Sequence, residues 1–129
     1  MNYYNQFTDQ TQEIKKALLQ GGLVVADRCS GKTSALVEIL LEDDDAIVIV
    51  GTESQSRRLK EGLLEKGLSY ETVKEKIVPA QSAEKYLLNQ RTNKNVYVDE
   101  WGRNPYKGHF KAAVTSFPFP VKVIKARIL

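Results

Sequence analysis

Leu23-Val24-Val25-Ala26-Asp27-Arg28-Cys29-Ser30-Gly31-Lys32-Thr33-Ser34-Ala35-Leu36 is the stretch whose reading decides the fold. Leu23 to Ala26 is a short unbroken apolar run, the pattern of a strand buried on both faces of a parallel sheet. Asp27 to Gly31 is a polar loop. From Lys32 to Leu41 the residues read as a helix, with Leu36, Val37, Ile39, Leu40 and Leu41 on or near its buried side. Strand, polar loop and helix in this order make a concave run of backbone N–H groups aimed at the positive end of a helix.

That geometry suits a phosphate group, and the residue types agree. Gly31 permits close backbone approach, Lys32 reaches β- and γ-phosphates, and the hydroxyl of Thr33 suits Mg²⁺. The binding segment is expected to span Ala26, Asp27, Arg28, Cys29, Ser30, Gly31, Lys32, Thr33 and Ser34. Ala26 stands where a phosphate loop usually begins with glycine, which requires a negative φ there. Arg28 reads either as a phosphate contact or as a solvated loop charge. Cys29 sits where a helix end lowers a thiol pKa, but it has no evident base partner and reads as loop packing.

Working outward, Asn95-Val96-Tyr97-Val98-Asp99-Glu100 is an apolar strand that ends in two adjacent carboxylates. Neighbouring residues at a strand end point different ways, so one acid can face a metal and the other a phosphate. Ligands of open α/β sheets collect at this end of the strands.

The remaining chain alternates strands and helices. Thr8, Asp9 and Glu13 signal a helix start, Ile14, Ala17 and Leu18 recur at helical spacing, and Gly21-Gly22 ends that helix. Glu42 to Asp45 reads as a solvated acidic turn. Ala46 to Val50 is a second strand, and Ser54 to Lys66 is a polar helix closed by Gly67. On that helix Arg57, Arg58 and Lys60 could meet phosphates, but read first as a solvated face. Lys76 to Pro79 is a third strand, with Tyr70 to Val73 strand-like before it. Ser82 to Asn89 reads as a helix, Tyr106 to Thr115 as another, and Val121 to Ala126 as a fifth and last strand. The expectation is an α/β three-layer sandwich with a mostly parallel five-stranded sheet, in one domain over residues 1–129.

Composition bounds the rest. Of 129 residues 42% are hydrophobic and 27% charged, the net charge is +3, and there is one cysteine. These values fit an ordinary globular domain, exclude an internal disulfide, and suit a reducing compartment such as the cytoplasm. No apolar run approaches a membrane span of about 20 residues. His109 reads as a surface residue. Trp101 reads as packing over the acids or as a stacking group.

Together the two motifs resemble the first RecA-like ATPase core of the DExx-box helicase and translocase group, among P-loop NTPases of the additional-strand kind. Val98-Asp99-Glu100-Trp101 is similar to the DExx box. Phe7 to Gln12 is similar to the segment whose glutamine reads adenine, a role that falls to Gln12 or Gln10. Ile49 to Ser54 and Val78 to Ser82 resemble segments that touch nucleic-acid phosphates, which would implicate Thr52. Arg28 to Thr33 also resembles the phosphate loop of viral DNA-packaging terminases, and the compact size suggests a virus or mobile element acting in host cytoplasm.

The resemblance implies ATP and Mg²⁺ as ligands, with Thr33 and Asp99 holding the metal, Lys32 on the phosphates and Glu100 activating the water. It implies DNA or RNA as a partner and no membrane. The 129 residues carry a single lobe, so an arginine finger would come from another copy of the chain or a different protein. No sensor motif stands out; Lys125 or Arg127 could serve, but such basic residues on an edge strand read first as solubility or edge protection. Two rival readings stay open. One is a nucleotide-binding regulatory or assembly module without hydrolysis. The other is a nucleoside or nucleotide kinase, whose Gln-Phe pair and cysteine-rich lid are not matched by Trp101-Gly102 and the single Cys29.

Overall fold

A computed structural model describes residues 10–26, 31–83, 94–100, 111–116 and 125–127. Four helices and six strands follow one another as α1 (Thr11–Gln20), β1 (Gly22–Ala26), α2 (Lys32–Glu42), β2 (Ala46–Val50), α3 (Glu53–Glu65), α4 (Tyr70–Lys76), β3 (Ile77–Pro79), β4 (Asn95–Asp99), β5 (Ala112–Ser116) and β6 (Lys125–Arg127). The strands form one sheet in the order β3-β2-β4-β5-β1-β6. The first five are mutually parallel, and β6 closes the β1 edge in antiparallel sense. The fold is α/β with a five-stranded parallel core, and it is compatible with three layers.

Strand periodicity sorts the side chains onto two faces. Val24, Ala26, Ala46, Val48, Val50, Tyr97, Ala112 and Val114 pack beneath the buried sides of α1 to α4. On the opposite face Leu23, Ile47, Ile49, Val96, Val98 and Ala113 pack with Val78, Ala80 and Ala83, the last two in a helical turn at residues 80–83. Ala46 to Val50 is buried at every position, which is why its sequence is apolar throughout.

Several expectations are corrected. Tyr70 to Val73 is helical, because Ser69 accepts a hydrogen bond at its side chain from the Thr72 N–H and caps α4. Lys76 ends that helix instead of opening β3. Ala112 to Thr115 is strand and not helix. Its alanines suggested a helix, but the small side chains allow β5 to sit at the centre of the sheet, with Ala112 and Val114 on one face and Ala113 on the other. Among the described residues the sheet has six strands, and β6 at Lys125–Arg127 overlaps the end of the expected Val121–Ala126 run. Thr8, Asp9, the Ser82–Asn89 helix beyond residue 83 and the Trp101–Lys107 loop lie outside the described residues.

The acidic turn after α2 has a structural task. The Asp43 carboxylate accepts from Asn95 Nδ2 at 2.7 Å and from the Asp45 N–H at 2.9 Å. Buried Lys76 donates to the carbonyls of Asp43 and Asp44. These bonds tie β2, β4 and α4 together at the edge where the parallel strands begin. The hydrogen bond from Asn95 does most to hold the Asp43 carboxyl below its ordinary range.

Candidate functional site

All five parallel strands end at one edge, so Ala26, Val50, Pro79, Asp99 and Ser116 share it. α1 runs directly into β1 and therefore starts at this same edge. The register sets Ala26 level with Ser116, and Asp99 level with Val114. The two motif-bearing strands are not neighbours: β5 lies between them. Two strand spacings are about 10 Å, and long side chains close that gap. Lys32 Nζ lies 3.6 Å from Glu100 Oε1, with side-chain exposures of 12% and 16%. The head of α2 and the acid pair meet in space.

Backbone conformation prepares both partners. Gly31 caps α2 with φ 106° and ψ 19°, a left-handed conformation that a Cβ would strain. Its carbonyl accepts from the Ala35 N–H at 2.8 Å, which starts the helix directly at Lys32. Ala26 is fully buried as the last residue of β1 and has no positive φ, so alanine is at ease at the first motif position. Glu100 has φ 54°, the one positive φ at a non-glycine residue among those described. Such strain persists where the surroundings over-determine it, commonly at functional sites.

The two acids differ in environment. Asp99 is 5% exposed. Burial, then the neighbouring Glu100 charge, raises its pKa from 3.8 to about 6, against the opposing pull of Lys32, the Glu100 backbone and Arg58. Glu100 faces Lys32 at the mouth. Thr33, half-buried, and Ser34, exposed, occupy the first turn of α2. Among the described residues no three His, Cys, Asp or Glu side chains could together hold a metal ion. A cation here would need a shell completed by phosphate and water around one or two protein oxygens, which is the habit of Mg²⁺. Thr33 and Asp99 carry hard oxygens of the type such an ion prefers.

Gln12 extends from α1 and donates to both Glu38 carboxylate oxygens at 3.1 Å. With Thr33, Ser34, Val37 and Gly62 it lines a cavity of about 500 Å³ over α2. Its amide is thus committed to α2. Gln10 precedes α1 and caps it without a side-chain bond; its Oε1 is buried with no partner among the described residues. Thr52 is the cap of α3: it accepts from the Gln55 N–H, and Gln55 reaches back to the Thr52 N–H. Its hydroxyl oxygen already has that structural use.

Asp27, Arg28, Cys29, Ser30, Trp101 and His109 lie outside the described residues. Lys125 pairs with Val25 and Arg127 with Leu23, so only Lys125 approaches the site edge. The sequence reading missed Thr115 and Ser116, which end the strand between Ala26 and Glu100. The β-branched pair Val114-Thr115 was the available signal. No protein-family model, no curated protein and no solved structure matches this chain. No helix among the described residues is long and apolar enough to cross a membrane.

Proposed function

We propose that this chain is a P-loop NTPase domain of the additional-strand kind that binds Mg-ATP and hydrolyses it. The observation that carries the reading is the Lys32–Glu100 contact at 3.6 Å, made across an intervening strand by residues from two separate motifs. The left-handed Gly31 at the head of α2, the strained Glu100 and the buried Asp99 support it.

In this reading the N-terminal turn of α2 and the loop before it hold the β-phosphate. Lys32 leaves Glu100 for the terminal phosphate, whose greater charge competes for the ammonium. Glu100 is then released to orient a water and accept its proton. The water oxygen bonds to the γ-phosphorus while the bond to the β,γ-bridging oxygen breaks. ADP departs with that electron pair, leaving ADP and inorganic phosphate. Thr33 and Asp99 would hold Mg²⁺, which supplies charge neutralisation at the β- and γ-oxygens when bound. Gln12 or Gln10 would read the base, as the resemblance implies. Coupling to DNA or RNA, and a viral setting, rest on the resemblance of the motifs alone.

Lys32→Ala tests the reading. Titration with Mg-ATP by calorimetry is expected to show binding abolished or nearly so, with the fold intact by circular dichroism. Affinity equal to that of the parent chain would sink the assignment.

A further inference from the structure

The cavity of about 500 Å³ over α2 is walled by three helices, with Gln12 from α1, Thr33, Ser34, Val37 and Glu38 from α2, and Gly62 from α3. Its volume is in the range of pockets that take small ligands. Thr33 and Ser34 belong to the first turn of α2, next to Lys32, so the cavity adjoins the turn read above as the phosphate holder. A nucleotide with its phosphates on that turn would have its nucleoside beside Ser34, where this space lies. Val37 and Gly62 give the lining a patch without polar side chains, against which a flat base can rest.

Gln12 and Glu38 form the polar part of the lining between α1 and α2. Gln12 Nε2 lies 3.1 Å from both Glu38 carboxylate oxygens. That bond does most to hold the Glu38 carboxyl below its ordinary range, against the opposing effect of burial, so Glu38 is ionised at neutral pH. An ionised carboxylate only accepts hydrogen bonds. The Gln12 amide must therefore turn its nitrogen to Glu38, and its oxygen faces the other way. A side-chain amide without such a partner can flip and present either group; Glu38 removes that choice. Lys15 steadies the carboxylate in turn, donating to Glu38 at 3.3 Å and to Glu42 at 2.7 Å.

We propose that Glu38 is a positioning residue for base choice: by locking the Gln12 amide with its oxygen turned away from α2, it makes the cavity accept a purine with an amino group at position 6 and reject one with an oxygen there. This rests on the P-loop reading above and narrows it, since the base is selected by a carboxylate that need not touch it. A 6-amino group donates to the Gln12 oxygen. A 6-oxo group sets two acceptors against each other and leaves both without a donor.

The experiment measures by calorimetry how the full chain, Glu38→Gln, Glu38→Ala and Lys15→Ala bind Mg-ADP, Mg-inosine diphosphate and Mg-pyrophosphate. Inosine diphosphate carries the 6-oxo group in place of the 6-amino group, and pyrophosphate carries no base. The parent is expected to bind ADP about 10-fold more tightly than inosine diphosphate. In Glu38→Gln the new amide can donate as well as accept, so Gln12 is free to flip, and the preference should fall to within about twofold. Glu38→Ala should lose it likewise, with pyrophosphate affinity unchanged in both variants. Lys15→Ala weakens the same α1–α2 contact but leaves the Gln12–Glu38 bond, and should keep the preference. A parent without preference, or Glu38 variants that retain it, overturns the role of Glu38 while leaving the P-loop reading standing. So does an equal loss for all three ligands, or a Lys15→Ala variant that loses the preference too, since either outcome assigns the effect to the tie between the helices. A parent chain that binds none of the three ligands overturns both readings.

Discussion

Asp99→Asn should make the nucleotide-free protein more stable at neutral pH while removing a residue that the proposed function needs. The folded chain holds the Asp99 proton more tightly than the unfolded chain, with a pKa of about 6 against an ordinary 3.8. Unfolding therefore releases a proton between pH 4 and 6, and the parent loses stability as pH rises through that window. The difference in pKa is worth about 3 kcal/mol at 1.36 kcal/mol per unit. Asparagine cannot ionise and escapes this penalty. Urea unfolding in metal-free buffer should thus find the variant more stable by up to about 3 kcal/mol at pH 8, and thermal unfolding should find a midpoint higher by about 10 °C for a chain of this size. The advantage should shrink to about 1.5 kcal/mol near pH 5 and nearly vanish below pH 4. A difference that does not vary with pH, or a variant less stable at pH 8, would refute the claim that burial of an ionised Asp99 is costly here.

Three further outcomes follow from individual side chains. Glu100→Gln should retain Mg-ATP binding and lose turnover by about 10²-fold or more, since an amide cannot take the proton; unaltered turnover in a phosphate-release assay would remove Glu100 from the proposed chemistry. Tyr97 is fully buried and its hydroxyl has no hydrogen-bond partner among the described residues, so Tyr97→Phe should stabilise the fold by about 1 kcal/mol in chemical denaturation; destabilisation would reveal a partner for that oxygen. Asn95→Ala removes the 2.7 Å bond to the Asp43 carboxylate and should cost about 1.5–3 kcal/mol at pH 7. The cost should diminish as pH falls below 4 and Asp43 takes up a proton, which repeated unfolding curves would detect.

The elements around the candidate site were legible in sequence because their signals are local. Four apolar residues before a polar loop, and an amphipathic run after Gly31, specify strand and helix through periodicity and backbone freedom. Asn95 to Asp99 is equally plain. Other elements were not. Tyr70 to Val73 looked extended until the Ser69 cap and the helical turn were seen together. Ala112-Ala113 has the composition of a helix, and only burial on both faces by neighbouring layers selects the extended form.

The sequence by itself determined that a polar segment stands between a buried strand and a helix, and that another strand ends in two acids. Tertiary structure decided that β5 is inserted between those strands, that Lys32 nevertheless reaches Glu100, and that Asp99 is buried enough to hold its proton near pH 6. The physical reason is one of range. Capping, periodicity and glycine conformation act over a few residues, whereas strand order, helix approach and desolvation depend on which distant surfaces must be buried against one another.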